Sequence, residues 1–192
     1  SIGLVGSEMC IRDRIDGVMH FAGLKSVGES VRNPIKYWEV NVIGTMTLLN
    51  VMQSYNCKTI VFSSSATIYG YPDSVPIDEN SKINPLNPYG NTKNTIENIL
   101  NDLYKSEKDQ WRIANLRYFN PVGAHPSGNI GESPSGIPNN IFPYICQVAS
   151  GKRKKINIFG NDWPTYDGTG VRAYIQVMDL ADGHFTAINF LL

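Results

Sequence analysis

Residues 58–65 read KTIVFSSS, a run of β-branched and aromatic residues that ends in three serines. This composition predicts a buried strand. Similar runs lie on either side of it, IDGVMHFAG at residues 15–23 and RIANLRYF at residues 112–119. Long helical patterns separate the runs, and a tight hairpin cannot return a chain in the same direction, so the three strands are expected to pair in parallel. The predicted fold class is α/β.

The two long helical patterns begin at Pro34 and Pro88, and proline is well tolerated in the first turn of a helix. The first extends to about residue 56 and the second to about residue 108. Helical spacing predicts one packed face on each helix. These faces comprise Val42, Ile43, Met46, Leu49 and Val51 in the first helix, and Ile96, Ile99, Leu100 and Leu103 in the second. A short helix over residues 140–150 and a strand near residues 156–159 are also expected.

The composition excludes several classes of protein. The chain has 192 residues, of which 42% are hydrophobic, and it carries 17 basic and 17 acidic residues. This balance gives no sign of a nucleic-acid or membrane partner. Cys10, Cys57 and Cys146 are odd in number and far apart, which argues against a disulfide framework or a metal knuckle and fits a cytoplasmic location. No apolar run of about 18 residues is present, so no membrane span is expected.

Polar clusters follow the predicted strands at residues 21–25, 63–65 and 118–123. Because ligands bind at the carboxyl ends of parallel strands, we expect a cleft there. Tyr89 and Lys93 are four residues apart at the start of the second long helix, so they share one helical face. A nearby ammonium favours the phenolate of a tyrosine, which then becomes a base. Ser65, at the end of its strand, is placed to present its hydroxyl to the same substrate oxygen.

These residues resemble the short-chain dehydrogenase/reductase superfamily, in the extended branch that modifies nucleotide sugars. More narrowly, the chain resembles the UDP-glucose 4-epimerase family from Ile15 to Leu192. The matching motifs occur in one order and are HFAGLKSVGESV, FSSSATIYG, NPYGNTK, LRYFNPVGAHPSG, GIPNN, IFGND and DGTGVR. The resemblance implies a Rossmann-like parallel sheet with helices on both faces, incomplete at both ends. It also implies a homodimer, since members of the family commonly dimerise through their two long helices.

The implied domain organisation has three parts. Residues 1–14 do not match the family and are expected to be a foreign segment or an irregular loop. Residues 15–120 would form the C-terminal part of an NAD-binding Rossmann domain. Residues 121–192 would form part of the nucleotide-sugar-binding region, with returning Rossmann elements.

The resemblance implies an NAD-dependent epimerase that acts on a UDP-sugar. The hydrogen on C4 of a hexose is not acidic, so the stereocentre is inverted by transient oxidation to a ketone, which a nicotinamide cofactor permits. By resemblance, Tyr89 takes the proton of the 4-hydroxyl, Lys93 lowers the pKa of Tyr89 and holds the nicotinamide ribose, and Ser65 hydrogen-bonds the reacting oxygen. Related dehydratases carry acidic residues after the strand-end serine or threonine, whereas this chain has Ala66 and Thr67, which favours epimerisation.

The resemblance also assigns binding residues. Those for NAD are Phe21, Ala22, Gly23, Leu24, Lys25, Asn41, Ser65, Tyr89, Lys93 and Phe119. Those for the UDP-sugar are Ser65, Tyr89, Asn120, Asn140, Ile141, Phe159 and Arg172. For Asn41, a capping or helix-internal role is an equal alternative. No residue is expected to bind a metal.

The chain departs from the family pattern in several places. Gly3 and Gly6 do not reproduce the glycine-rich turn that seats the pyrophosphate, so the chain is expected to be an internal fragment that binds NAD weakly and lacks turnover by itself. Acidic residues or histidine are usual in the family at three positions that are occupied here by Tyr166, Ala173 and Gln176. These changes put in doubt the nucleotide-binding arrangement around Arg172. Two alternatives remain: a related UDP-sugar epimerase or decarboxylase, and a non-catalytic binding module.

Overall fold

The computed structural model describes residues 14–108, 110–134, 138 and 140–192. The segment of residues 1–14, predicted not to match the family, lies outside the described residues except for Arg14. The chain divides into two compact units. The first comprises Ser1–Arg117 and Gly183–Leu192, and the second comprises Tyr118–Asp182.

The first unit contains a three-stranded sheet of β1 (Val18–His20), β2 (Thr59–Ser63) and β3 (Arg112–Leu116), in that spatial order. Both pairs are parallel, with His20 opposite Phe62 and Ser63 opposite Leu116. Every residue of the central strand β2 is buried. The predicted parallel α/β sheet is therefore confirmed, and the carboxyl ends of β1 and β2 lie at the same sheet edge.

The helical region between β1 and β2 has four segments. Helix α1 (Val27–Arg32) precedes α2 (Pro34–Tyr37), a π-helical segment (Trp38–Ile43) and α3 (Gly44–Ser54). The predicted packed face is only partly correct. Val42 and Leu49 are buried, whereas Ile43, Met46 and Val51 are 57%, 46% and 49% exposed. The buried stripe instead includes the polar residues Asn41 and Thr45, which a count of apolar residues overlooks.

The long helix after β2 is α4 (Pro88–Ser106). A short 3-10 turn (Ala66–Tyr69) and an extended loop come before it. Asn87 caps the helix, because its side-chain oxygen accepts a hydrogen bond of 2.9 Å from the backbone nitrogen of Gly90. The predicted apolar face is confirmed: Ile96 and Leu100 are buried in the core, and Ile99 and Leu103 are partly buried against it. The cap and the core together fix the first turn of α4.

The second unit contains a parallel pair of short strands, β4 (Asn120–Val122) and β5 (Tyr174–Gln176), and helix α5 (Ile141–Ala149). Helix α6 (Val177–Leu191) follows β5 directly. The predicted short helix is confirmed, but the predicted strand near residues 156–159 is wrong. Ile158 and Phe159 are 77% and 88% exposed, and no partner strand pairs with this run in the described part of the chain.

Among the residues that the structure describes, no helix is both long enough and apolar enough to cross a bilayer.

The position of Leu100 yields a stability prediction. Its side chain is 0% exposed in the core, so the Leu100→Ala variant is expected to lose about 2–5 kcal/mol of unfolding free energy through lost burial and the cavity that remains. The matched control is Leu86→Ala, because Leu86 is 53% exposed and should change stability by less than about 0.5 kcal/mol. Urea unfolding of both variants measures the difference, and equal losses would contradict the assigned core.

Candidate active site

Lys93 lies at the carboxyl end of β2. Its Nζ donates a hydrogen bond of 2.7 Å to the backbone oxygen of Ser63, the last residue of that strand. The same atom lies 4.7 Å from the ring centroid of Phe62 and 6.0 Å from that of Tyr89. An ammonium over an aromatic face is attracted by the electrons of the ring. The predicted pair of tyrosine and lysine is therefore anchored to the predicted end of the sheet.

Burial changes the titration of Lys93. The side chain is 5% exposed, and desolvation lowers its pKa from 10.5 to about 8. The negative charge of Glu97, one turn further along α4, opposes this shift and raises the pKa. Lys93 therefore keeps its positive charge at neutral pH although it is buried.

Ser65 follows β2 and begins the 3-10 turn. Its Oγ accepts a hydrogen bond of 3.2 Å from the backbone nitrogen of Thr67 and donates one of 3.0 Å to the Thr67 hydroxyl. The turn packs against the first turn of α4, since a Cβ added to Gly90 would lie 3.1 Å from the carbonyl oxygen of Thr67. Gly90 is adjacent to Tyr89. The structure thus brings the Ser65 turn, Tyr89 and Lys93 to one end of the sheet.

The loop after β1 is held by Asn41. The Oδ1 of Asn41 accepts a hydrogen bond of 2.7 Å from the backbone nitrogen of Leu24, and its Nδ2 donates bonds of 3.0 Å to the Leu24 oxygen and 3.1 Å to the Thr92 hydroxyl. Asn41 is 2% exposed, and these bonds use both hydrogens of its amide. Asn41 therefore fixes this loop against α4 and has no hydrogen left to donate to a ligand.

The same loop reaches Lys93. A Cβ added to Gly23 would lie 3.1 Å from Oδ1 of Asn41 and 4.0 Å from Nζ of Lys93. The neighbouring side chains of Phe21, Ala22 and Lys25 are exposed. The loop that holds the predicted NAD-side residues 21–25 therefore approaches Lys93 at Gly23, where an added Cβ would be in tight contact with Asn41.

Two buried histidines support this end of the sheet. His20, the last residue of β1, is hydrogen-bonded through Nε2 to the Thr45 hydroxyl at 2.8 Å. Burial, with a smaller contribution from the charge of Lys93, lowers its pKa to about 4, so His20 is neutral at pH 7. His184 of α6 lies 2.7 Å from the hydroxyl of Ser63, and both residues are at most 2% exposed. Such burial leaves Ser63 inaccessible as a nucleophile.

A buried ion pair beside the site was not predicted from the sequence. Glu97, which is 5% exposed, accepts hydrogen bonds from Arg117, just after β3, and from the hydroxyl of Ser64. The Arg117 Nη2 lies 2.6 Å from Oε2 of Glu97. The spacing of Glu97 four residues after Lys93 was a signal for this cluster, but the partners from β2 and β3 are remote in sequence.

The second unit holds five of the seven residues predicted to bind the UDP-sugar, whereas Ser65 and Tyr89 belong to the first unit. The Nδ2 of Asn120 donates a hydrogen bond of 3.0 Å to the Ala173 oxygen, and Nη1 of Arg172 donates one of 2.8 Å to the Val171 oxygen. One cleft in this unit is lined by Asn120, Asn140, Ile141 and Arg172, among other residues. The structure thus brings four of the predicted residues together.

A second cleft in this unit shares Asn140 and Ile141 with the first and includes Phe159. Arg153 and Lys155 also line it, and the Arg153 guanidinium lies 4.8 Å from the ring centroid of Tyr144. The basic run at residues 152–155 therefore contributes two side chains to this cleft. Phe119 precedes β4 and is 38% exposed.

The buried ammonium of Lys93 predicts a specific pH dependence of stability. Between pH 8 and about 10.5 the unfolded chain keeps the lysine proton that the folded chain has lost, so stability rises with pH over this window. The lowered pKa corresponds to at most about 3 kcal/mol. The Lys93→Met variant is expected to lack this increase relative to the parent chain, as measured by urea unfolding at several pH values.

The matched control is Lys105→Met, since Lys105 is an exposed lysine of the same helix. This variant should follow the parent chain across the whole window. If the stability of Lys93→Met also followed that of the parent chain across this window, the lowered pKa assigned to the buried Lys93 ammonium would be refuted.

The comparisons with known proteins agree with this geometry. Residues 7–191 match the model of the NAD dependent epimerase/dehydratase family, so the match includes residues 7–14, which were not expected to belong to it. UDP-glucose 4-epimerase 2 of Arabidopsis thaliana is 58% identical over 178 residues, which are 93% of this chain and 51% of that protein. UDP-glucose 4-epimerase of Bacillus subtilis is 56% identical over 94% of this chain and 53% of that protein. The chain thus spans about half the length of the curated relatives it matches.

Solved structures give the same result and confirm the predicted Rossmann-like fold. The UDP-glucose 4-epimerase of Bifidobacterium longum in complex with NAD+ and UDP has a TM-score of 0.89 and 50% identity over 94% of this chain and 54% of that one. The enzyme from Stenotrophomonas maltophila, with bound NAD and formylated UDP-arabinopyranose, has a TM-score of 0.88 and 51% identity over 92% of this chain and 52% of that one. On these grounds the chain belongs to the NAD dependent epimerase/dehydratase family.

Proposed function

We propose that the protein carrying this chain is an NAD-dependent epimerase that interconverts UDP-glucose and UDP-galactose. The observation that carries the proposal is the buried ammonium of Lys93, bonded to the Ser63 oxygen beside the ring of Tyr89. The relatives named above are UDP-glucose 4-epimerases at 56% to 58% identity, which supports the same reaction. The absence of a carboxylate at Ala66 and Thr67 favours epimerisation over dehydration.

The described residues fit NAD. The loop of Phe21, Ala22, Gly23 and Lys25 borders Lys93, and at Gly23 a Cβ would crowd the Asn41 oxygen at 3.1 Å. This close approach leaves the face of the loop free of a side chain next to the ammonium. When bound, NAD supplies a hydride acceptor that later returns the hydride. Leu24 is held from behind by Asn41, so the loop is preorganised for its ligand.

The reaction requires the removal of two hydrogens from the sugar, one from C4 and one from the 4-hydroxyl oxygen. In the proposed reaction Tyr89 takes the O–H proton, and the hydrogen on C4 would leave with its electron pair to NAD held by the loop after β1, which would give a 4-keto sugar. The keto sugar would then present its other face and take the hydrogen back at C4, while Tyr89 returns the proton to the oxygen. The stereocentre would be inverted with no net oxidation.

Lys93 and Ser65 assist the proton transfer. The Lys93 ammonium favours the phenolate form of the neighbouring tyrosine, which makes Tyr89 competent as a base. We assign to the Ser65 hydroxyl, in the turn packed against the start of α4, a hydrogen bond to the reacting oxygen, which requires it to turn away from the Thr67 hydroxyl to which it donates in this structure. Lys93 thus acts through Tyr89 and Ser65 acts on the oxygen of the substrate, whereas the hydrogen on C4 needs no base.

A sugar that turns over must be held mainly through its nucleotide, because remote binding energy retains the intermediate. We assign this function to Asn120, Asn140, Ile141, Phe159 and Arg172, which line two clefts of the second unit. The planar guanidinium of Arg172 is suited to bind a phosphate with two hydrogen bonds.

Phe119 is assigned to the cofactor side. We also expect a homodimer and a cytoplasmic location.

The direct test uses the longest protein that carries this chain. With NAD present, this protein is expected to convert UDP-glucose into UDP-galactose. The two nucleotide sugars are separated and quantified, and the N-acetylated UDP-sugars are assayed in parallel. Conversion of another UDP-sugar alone would select the alternative of a related epimerase or decarboxylase. A folded protein that binds UDP and transforms none of these sugars would contradict the proposal and favour a non-catalytic binding module.

The Tyr89→Phe variant is expected to reduce turnover by about 10²- to 10⁴-fold, because the ring remains and only the proton acceptor is lost. UDP binding, measured by calorimetry, should stay unchanged. The matched control is Tyr104→Phe on the same helix, where the tyrosine is 41% exposed, and it should keep full activity. Full activity of Tyr89→Phe would refute the assigned base.

The Ser65→Ala variant should lose less activity than Tyr89→Phe, since it removes one hydrogen bond to the reacting oxygen rather than the base. Steady-state kcat for both variants decides the order. A loss at Ser65 equal to or larger than that at Tyr89 would reverse the two roles.

A further inference from the structure

Glu97 is a buried carboxylate one helical turn beyond Lys93 on α4. It is 5% exposed, and the hydroxyl of Ser64 donates a hydrogen bond to its Oε1. Ser64 is next to Ser63, whose backbone oxygen receives the ammonium of Lys93. Glu97 is thus connected to Lys93 in two ways, along the helix and through the chain that follows β2.

Arg117 fixes the orientation of this carboxylate. Its Nε donates to both carboxylate oxygens of Glu97 at 3.1 and 3.0 Å, and its Nη2 donates to Oε2 at 2.6 Å. Its Nη1 donates to the hydroxyl of Tyr69 at 3.0 Å and to the backbone oxygen of Glu79 at 3.2 Å. A carboxylate held by this many donors is a fixed charge rather than a mobile one.

The charged and titratable groups around Lys93 come from several elements. Tyr89 and Glu97 face it from α4, and His20 faces it from β1. His184 of α6 lies behind it on the Ser63 side chain, and Arg117 lies beyond Glu97. His20 is neutral at pH 7, so Glu97 is the negative charge in this set that offsets the desolvation of the Lys93 ammonium.

We infer that Glu97 is a positioning residue that keeps Lys93 protonated and holds the serine run after β2 in place for proton transfer at Tyr89. The catalytic part of this inference rests on the proposed function. Its physical basis is that an opposite charge nearby favours the charged form of a buried group. Glu97 acts through Lys93 and Ser64, so it needs no contact with substrate.

The first test measures the charge of Lys93 without any assay of activity. The chain is labelled with lysine carrying ¹³C at Cε, the Lys93 signal is assigned with the Lys93→Arg variant, and its shift is followed from pH 6 to 11 by NMR. The Glu97→Gln variant keeps the shape of the side chain and is expected to lower the titration midpoint of Lys93 by about one pH unit. The matched control is Glu107→Gln at the end of the same helix, where Glu107 pairs with Lys58, and it should leave the Lys93 midpoint unchanged.

A second variant guards against loss of the fold. Glu97→Gln alone leaves the partly buried Arg117 charge without its carboxylate partner, which is destabilising. The double variant Glu97→Gln with Arg117→Gln removes both charges. It is expected to lower the Lys93 midpoint as well, but by less than the single variant, because the more distant positive charge is removed too. Circular dichroism confirms that each variant is folded before titration.

The second test uses the longest protein that carries this chain and follows kcat/KM against pH. In Glu97→Gln the alkaline limb of the kcat/KM profile should move to lower pH by the same amount as the titration midpoint of Lys93, because activity needs the Lys93 ammonium. A merely structural role would reduce activity at every pH and leave the limb in place.

The outcomes separate the inference from the proposed function. Parallel shifts of the midpoint and the limb support the inference. An unchanged Lys93 midpoint in folded Glu97→Gln, or a limb that stays in place while the midpoint falls, overturns it. If the parent protein epimerises no UDP-sugar, the proposed function fails, while the NMR titration still decides whether Glu97 sets the charge of Lys93.

Discussion

The hydrogen bond from the Lys93 ammonium to the Ser63 oxygen is the interaction on which the site depends. It joins the first turns of α4 to the carboxyl end of the central strand and places a buried positive charge beside the ring of Tyr89. A buried charge is unfavourable unless hydrogen bonds, aromatic faces or opposite charges compensate for the lost hydration. The Ser63 oxygen, the Phe62 ring and the Glu97 carboxylate supply that compensation.

The surrounding fold holds this charge in position. Asn87 caps α4 just before Tyr89, and the apolar face of the helix packs its remaining turns into the core. Asn41 connects the loop after β1 to the same helix through Leu24 and Thr92. This end of the sheet therefore consists of loops and strand ends whose positions are set by buried polar contacts.

Local rules were sufficient to predict the sheet, α4 and the pair of Tyr89 and Lys93 from the sequence. Helical spacing involves residues close together in the chain, and the strand-end rule requires only that each strand be recognised from its own residues. Glu97 with Arg117 could not be predicted in this way, because their contact joins α4 to the end of β3. The apolar run at residues 156–159 was mistaken for a strand, since strand propensity does not reveal whether a partner strand is present.

The most direct test of the redox mechanism follows hydrogen at C4. The longest protein that carries this chain is incubated with UDP-glucose in D₂O, and the UDP-galactose product is examined by NMR. Because the proposed mechanism removes the hydrogen on C4 as a hydride and returns it as one, the product is expected to carry no deuterium at C4. Deuterium at that carbon, at a level that follows turnover, would show that a proton is removed there instead and would contradict the account.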